Sequence, residues 1–468
     1  MSKFAKRFLF FAVAALVTTA IILLCVNIYL QSAGVQERIR AAAARSLGTD
    51  LKIGSTIYTP WDGLVLRGLR IADPSVSGEA IVEAAALRIR FAMFPLFQRR
   101  FVVKELALFE PKLIVRQMEN GEWLVPIPPA RTPYIAIPPA GTAEVPPVPS
   151  ARPASFKAEL QRFRIGGGTI LFLDAKNRPV LKLEKSNIDT RISSGLSATG
   201  TYRIGEMDFA SALHPRKIEG TFVWNGATLE LPDISGDLAG GEISGSFRLE
   251  NGSDPTFALG LQFAGVQLKR LALESKIDSS KTDGTLIGSI TLAGDPRNSD
   301  SLAGKGHLEL IEARLKPVDF LSKLGELLRI EELQLLRLSE AKIDLTIADK
   351  KVNVDGIFLK SENIILAGSG PVRFDGKMNI DARLLVNARL QQQLKGLLGK
   401  NFVPAEDPEY RQLPFSVTGK LSSPKTDLLD KIIGINIGQD VGGLLKNLFR
   451  APAPPKSADD QPKAPVEN

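Results

Sequence analysis

A chain of 468 residues that is 44% hydrophobic can bury the cores of two or three ordinary domains, which excludes an intrinsically disordered protein. The net charge of +8 and pI of about 9.4 favour acidic partners, yet no basic patch with interleaved aromatics marks a nucleic-acid surface, so no nucleic acid is expected and an anionic membrane surface is the more economical partner. The single cysteine, Cys25, excludes a disulfide within the chain.

The first elements concern a membrane. Residues 1–7 form a short stub with Lys3, Lys6 and Arg7, and Phe8 to Leu30 is apolar apart from Thr18, Thr19 and Asn27. At about 1.5 Å per residue this run reaches roughly 34 Å, against about 30 Å of bilayer hydrocarbon. It is longer than the apolar region of a cleaved signal peptide, although Ser32-Ala33-Gly34 offers a small-x-small pattern. The expectation is an uncleaved single-pass anchor over 8–30. The leading cations put the N-terminus in the cytoplasm and the bulk of the chain in the periplasm, while Arg38, Arg40 and Arg45 on the other flank pull against that orientation.

A short helix from Val35 to Leu47 precedes strands over Leu51 to Ile57, Gly63 to Ile71, Ile81 to Ile89, Val102 to Phe109 and Lys112 to Gln117. Asp73-Pro74, Glu110-Pro111 and Asn120-Gly121 break them. The order Leu47-Gly48-Thr49-Asp50-Leu51, then Gly63-Leu64-Val65-Leu66-Arg67-Gly68-Leu69-Arg70-Ile71, then Glu110-Pro111-Lys112-Leu113-Ile114-Val115 and Asn120-Gly121-Glu122-Trp123 resembles the N-terminal region of bacterial AsmA-like proteins. By that resemblance, residues 31–125 form an AsmA-like N-terminal β module.

Residues 126–153 shift to prolines with small residues between them and read as an extended linker. Strands with glycine turns resume at Ser155 and run as an antiparallel meander, including Thr169 to Leu173, Pro179 to Leu183, Asn187 to Ile192, Thr228 to Leu231, Glu242 to Glu250 and Thr256 to Phe263. The unit Asp233-Ile234-Ser235-Gly236-Asp237-Leu238-Ala239-Gly240-Gly241-Glu242-Ile243-Ser244-Gly245-Ser246-Phe247 is similar to a glycine-rich unit of AsmA relatives, and its glycine pair predicts a turn or bulge. The stretches Leu302 to Leu310, Ala341 to Ile347, Val352 to Leu359, Ile364 to Gly370, Met378 to Leu390 and Leu413 to Gly419 follow the order of the AsmA-like C-terminal domain. The resemblance thus assigns 154–450 to a C-terminal β-groove module. A helix near 318–328 and an amphipathic helix from Leu428 to Phe449 lie within it, and 451–468 is a disordered tail.

The clearest two-faced strand is Met378 to Leu390. There Met378, Ile380, Ala382, Leu384, Val386, Ala388 and Leu390 alternate with mostly polar neighbours, so all seven fall on one face. They are the candidate lipid-binding residues, and aspartate at Ile380, Leu384 and Val386 is expected to abolish lipid retention. Catalytic chemistry finds no footing in the sequence. His214 beside Pro215 and His307 on the wet face with Lys305 and Glu309 read as surface histidines, the aspartates lack calcium-loop spacing, and Gly166-Gly167-Gly168 is not followed by the lysine of a phosphate loop. No enzyme activity, metal or cofactor is expected.

The strand pattern makes the expected fold class mainly β with a few short helices and an N-terminal transmembrane helix, and the resemblance implies an elongated, strongly curved, taco-like antiparallel β-groove. The resemblance implies a non-catalytic inner-membrane protein that binds or conducts phospholipid between membranes along an apolar groove. Its partners would be phospholipid acyl chains, the inner membrane and other envelope proteins. The alternative is an envelope assembly or scaffold factor supporting outer-membrane protein or lipid organisation.

Overall fold

The computed structural model describes residues 24–38, 41, 51–73, 78–92, 100–124, 157–193, 197–210, 212–276, 282–315, 322, 325–326, 330, 333–393, 401–420 and 423–433. The expected disordered tail, the proline-rich linker and most of the helix near 318–328 lie outside these residues. So do most of the anchor and most of the amphipathic helix after Leu428. Among the described residues no helix is long and apolar enough to cross a membrane.

Before the linker come β1 (Leu51–Lys52), β2 (Ser55–Thr59), β3 (Gly63–Ala72), β4 (Ala80–Phe91), β5 (Arg100–Phe109), β6 (Lys112–Gln117) and β7 (Trp123–Leu124). After it follow β8 (Lys157–Leu160), β9 (Arg162–Leu173), β10 (Pro179–Ile192), β11 (Ala198–Phe209), β12 (Arg216–Trp224), β13 (Thr228–Leu238), β14 (Gly241–Glu250) and β15 (Thr256–Gln267). Helix α1 (Leu268–Glu274) leads into β16 (Asp283–Asp295), β17 (Asn298–Leu315), β18 (Leu336–Leu338), β19 (Glu340–Ala348), β20 (Lys351–Lys360), β21 (Ile364–Arg373) and β22 (Lys377–Asn387). Helix α2 (Ala388–Gln393), β23 (Val403–Pro404), β24 (Tyr410–Lys420), β25 (Ser423–Thr426) and helix α3 (Leu428–Ile433) complete the described chain. The fold is mainly β, and the 25 strands of the described residues belong to one sheet.

From β9 to β17 each strand pairs antiparallel with the next, and the ladder continues through β19, β20, β21, β22 and β24. The expectation of a purely antiparallel sheet fails at one seam. There β5 runs parallel to β8 and β9, and β6 runs parallel to β9. A parallel join requires the chain to cross from one strand end to the other. At this seam the strands before the linker and those after it merge into one continuous sheet.

Several breaks read from sequence are bends within strands. Both β5 and β6 pair with β4 and β9, so Glu110-Pro111 kinks one line of strand, with Glu110 at φ +48°. Pro179 to Ile192 is one strand whose bulges flank Lys185 at φ +53°. The glycine pair after Ala239 does make the turn between β13 and β14, with Gly240 at φ +84°. A Cβ on Gly241 would lie 2.4 Å from the Gly265 carbonyl carbon, so only glycine allows that close backbone approach. Strand β22 ends at Asn387, and Ala388 and Leu390 belong to α2 rather than to the strand. The Asn387 side-chain oxygen accepts from the Leu390 amide at 3.0 Å, which starts the helix there.

The sheet is strongly bent. The indole N–H of Trp123, beyond β6, donates to the Pro296 carbonyl in the β16–β17 turn at 3.5 Å. Eight ladder steps separate β6 from β16, and a flat sheet at about 4.8 Å per step would hold them nearly 40 Å apart. Trp123 lies at the strand end where β9 passes into β10, whereas the Pro296 turn lies at the opposite strand end. A twist of about 20–25° per strand accumulates to roughly half a turn over that distance, which reverses the strand direction and brings opposite ends together.

Candidate functional site, the apolar face

Cross-strand partners project to the same face of a sheet, so the register converts the two-faced strands into continuous rows. One row runs Leu231, Phe247, Leu259, Leu292, Gly304, Ile347, Val352, Val372 and Met378 from β13 to β22. Beside it run Ile234, Gly245, Leu261, Ile290, Gly306, Leu345, Val354 and Gly370. A third joins Ile243, Phe263, Gly288, Leu308, Ile343, Ile357, Gly368, Ala382 and Phe415, and a fourth joins Val266, Leu286, Leu310, Ala341, Leu359, Leu366, Leu384 and Leu413. The same face continues N-terminally, where Leu66, Leu87, Leu108, Ile165, Ile188 and Tyr202 form a row from β3 to β11.

Glycines in these rows make room for neighbouring leucines. A Cβ on Gly304 would stand 2.9 Å from Leu292 Cδ2, and one on Gly306 would stand 2.9 Å from Leu345 Cδ1. Bare backbone at these points lets large side chains lie across it, which suits a tightly coiled sheet.

The rows differ in what covers them. Along the fourth, protein does: Leu268 and Leu271 of α1, Leu336 and Leu338 of β18, Ile330 and Leu333, and Leu428 and Ile432 of α3 pack over it in three clusters. A separate cluster seals the N-terminal end around Leu51, Ile53, Leu66, Leu69 and Ile81. In the first row no residue is buried, and in the second only Gly306 is. An apolar strip from β13 to β22 thus remains half-exposed, with Phe247 stacked near Phe257 at 6.4 Å between ring centres.

The candidates from Met378 to Leu390 divide accordingly. Met378 ends the open row and stays half-buried, and Ala382 lies in the third beside Phe415, also half-buried. Ile380, Leu384 and Val386 are buried, the last two in the C-terminal cluster with Ile364, Phe402, Leu413 and Phe415. Leu390 joins that cluster from α2, whereas Ala388 is exposed. An aspartate at Ile380, Leu384 or Val386 would therefore break protein packing and tests the core rather than a ligand face. Phe247, Leu259, Leu261, Ile290, Leu292, Leu345 and Ile347 are the more exposed surface. Each lies on an alternating strand, but only the ladder register shows that they align.

The opposite face is polar and charge-matched. Asp189 stands directly across from Arg164, Arg203 from Glu219, Glu230 from Arg248 and His307 from Asp344. Arg203 reaches Glu219 at 3.0 Å and Arg248 reaches Glu230 at 2.8 Å. Arg162 also pairs with Asp189, and its hydrogen bond holds that carboxyl below the usual carboxylate range. His307 lies 2.6 Å from Asp344 and 3.2 Å from Glu309, and these two carboxylates raise its pKa. Such exposed pairs fix register more than they stabilise. Across β4 to β14 this face holds a concavity of about 850 Å³ lined by Arg88, Arg164, Asp189, Arg203, Glu219 and Asp233. Across β14 to β19, small residues such as Ala258, Gly260, Ala293 and Ala303 leave a second of about 840 Å³. Among the described residues no group of three or more His, Cys, Asp or Glu side chains is arranged to hold a metal ion. Burial with Asp233 nearby pushes the Tyr202 hydroxyl up to about 12, away from proton transfer at neutral pH.

The chain matches no protein-family model, none of the curated proteins and no solved structure.

Proposed function

We propose that this chain is a non-catalytic, membrane-anchored envelope protein that binds or conducts phospholipid along the apolar face of its sheet. The observation that carries the reading is the half-exposed strip of apolar rows from β13 to β22. Soluble monomers seldom leave a continuous apolar surface beyond a few hundred Å² uncovered. Among the described residues, the chain's own segments pack over the fourth row, whereas the first two rows join none of these clusters and stay half-buried apart from Gly306. Set on the inner side of the curved sheet, that strip would form a trough. Acyl chains lying in it would gain about 0.8 kcal/mol per buried CH₂ without needing specific contacts, so they would be held yet free to slide. The apolar run that begins at Phe8 and the AsmA-like motif order support a place in the inner membrane with the sheet in the periplasm.

The test is to extract the full chain from membranes with a mild detergent and identify co-purifying lipids by mass spectrometry. Phospholipid is expected with the unaltered chain and lost from a Leu259→Asp, Leu292→Asp, Ile347→Asp triple variant that keeps its circular dichroism. Absence of lipid from the unaltered chain, or its retention by a folded triple variant, rejects the reading. A role in envelope assembly is the second reading, and the charged concavity around Arg88, Arg164 and Arg203 on the polar face favours it. It predicts that loss of lipid leaves assembly of outer-membrane proteins intact, whereas charge reversal at Arg164 and Arg203 impairs it.

A further inference from the structure

Helical residues 24–31 lie along the outer edge of β2 and are pinned there by two side chains. Asn27 donates from Nδ2 to the Tyr58 carbonyl at 2.9 Å and accepts from the Tyr58 amide at 2.7 Å, while Gln31 donates to the Thr56 carbonyl at 3.5 Å. A primary amide thus occupies the place that a further strand would take beside β2. Four helical residues at about 1.5 Å and two strand residues at about 3.3 Å cover nearly the same distance, so the helix runs antiparallel to β2. Leu24, almost one turn before Asn27, then comes level with the turn Pro60 to Asp62 that joins β2 to β3.

The four most exposed large hydrophobic residues described in the molecule fall at this end of the sheet: Trp61 at 69%, Ile28 and Tyr29 at 62%, and Leu24 at 60%. The turn that presents Trp61 is itself held. The Asp62 amide donates to Thr59 Oγ1 at 3.1 Å, Arg90 lies 3.8 Å from the Asp62 carboxylate, and Tyr58 stacks on Phe91 at 6.0 Å. Tryptophan and tyrosine combine an apolar body with a polar tip and concentrate at the boundary between hydrocarbon and headgroups.

Length decides the occupant. If residues 24–30 lie against β2, the apolar run left to cross the bilayer is Phe8 to Leu23, which at about 1.5 Å per residue reaches only about 24 Å against roughly 30 Å of hydrocarbon. Such a short span is accommodated by drawing its flank into the membrane or thinning the bilayer. The flank here is the end of the sheet.

We infer that the end of the sheet formed by the β2–β3 turn and helical residues 24–29 seats in the headgroup layer of a phospholipid bilayer, with Trp61 as its wedge. This rests on the anchor reading above. The sheet then stands on the membrane at a fixed place, with its N-terminal end at the lipid surface.

The chain holds three tryptophans, Trp61, Trp123 and Trp224. The test reconstitutes the full chain in phosphatidylcholine–phosphatidylglycerol vesicles with Trp61 alone (Trp123→Phe, Trp224→Phe) or Trp224 alone (Trp61→Phe, Trp123→Phe). The vesicles contain lipid brominated just below the headgroup. Trp61 emission is expected to be quenched and blue-shifted, and Trp224 emission unchanged. Should the double variants misfold, Trp61→Ala in the otherwise native chain is expected to remove the lipid-quenched fraction of emission. A chain that floats with vesicles while Trp61 stays as unquenched as Trp224 overturns the inference and leaves the anchor standing. A chain that does not float overturns both. Trp61 shielded from aqueous acrylamide only as protein concentration rises, without lipid, assigns the surface to a second copy and overturns it as well.

Discussion

Trp123 and Pro296 are 173 residues apart in sequence, yet the Trp123 indole donates to the Pro296 carbonyl. The contact ties the closing hairpin of the N-terminal region to a turn in the middle of the ladder. Trp123 also packs edge-on against Phe172 at 5.9 Å, and Gly121 beside it lies so near Arg297 that a Cβ would stand 2.7 Å from the Arg297 carbonyl oxygen. Arg297 in turn donates to the Ser253 carbonyl at 3.1 Å. The turn beyond β6 therefore meets the neighbouring β14–β15 and β16–β17 turns at one place and ties distant parts of the ladder together.

Gly121→Val should open this junction. At φ +86° a β-branched residue is strained, and its Cβ would press on the Arg297 backbone. Spin labels at Asn120 and Asn298 are expected to show a short distance in the unaltered chain and a longer, broader one in the variant. Trp123→Ala should act in the same direction and lower stability by roughly 2 kcal/mol, less than for a fully buried tryptophan because the ring is only half-buried. An unchanged distance in both variants would show that the coil does not depend on this contact.

His307 predicts how the polar face responds to pH. Its hydrogen bonds to Asp344 and Glu309 raise its pKa above the ordinary 6.5. A raised folded-state pKa gives stability that is fully present below the unfolded value and is lost as pH rises through the folded value. The stability gap between the unaltered chain and His307→Gln should thus be widest at mildly acidic pH and close under alkaline conditions. Lys342, 3.8 Å from Glu309 and paired with Glu340 at 3.0 Å, keeps a positive charge nearby throughout that range and limits the gap. Proton NMR titration of the His307 ring reads the pKa directly, and a value below 6.5 would contradict the pairing.

Strand periodicity made most of the ladder legible in sequence. Gly63 to Ile71, Ala341 to Ile347 and Thr256 to Phe263 all fall inside strands of the sheet, because alternation leaves a strand only one way to bury its apolar side. What alternation cannot carry is which strand lies beside which. The parallel seam of β5 with β8 and β9 depends on a crossing between distant segments, and no local pattern announces it. The same limit applied to the candidate site. Met378 and Leu384 look alike in sequence, since both are apolar and on the same face of β22. Only the fold places Ile330, Leu333 and Leu428 over Leu384 and leaves Met378 on the open row. Asn27 read as an interruption of an apolar run, and its use as an edge cap for β2 was invisible without Tyr58 beside it.

Asn27→Ala should loosen the outer edge of β2. The substitution removes two hydrogen bonds to Tyr58, each contributing about 1 kcal/mol, and leaves the Tyr58 N–H and carbonyl to solvent or to another strand. Amide exchange over Ser55–Thr59 is expected to quicken about tenfold or more, while exchange in β14 and β15 stays unchanged, because local opening leaves distant ladder bonds intact. Asn27→Asp should be at least as damaging, since a carboxylate can accept from the Tyr58 amide but repels its carbonyl.

Leucines on one face of the sheet should separate into two classes on truncation. Leu384 is 2% exposed and sits among Ile364, Leu413 and Phe415, so Leu384→Ala leaves a cavity that surrounding side chains cannot fill and should cost about 2–5 kcal/mol. Leu292 lies in the open row, is only half-buried and belongs to none of the core clusters of the described residues, so Leu292→Ala removes only part of a buried surface and should cost about 1 kcal/mol. Urea unfolding of the detergent-solubilised chain checks the difference. The lipid content of the same preparations should move the opposite way, falling with Leu292→Asp in a folded chain. A loss of lipid with Leu384→Ala is expected only where the fold is lost with it. Equal costs at the two positions would mean that protein covers Leu292 as fully as it covers Leu384, and the strip would then have no room for an acyl chain.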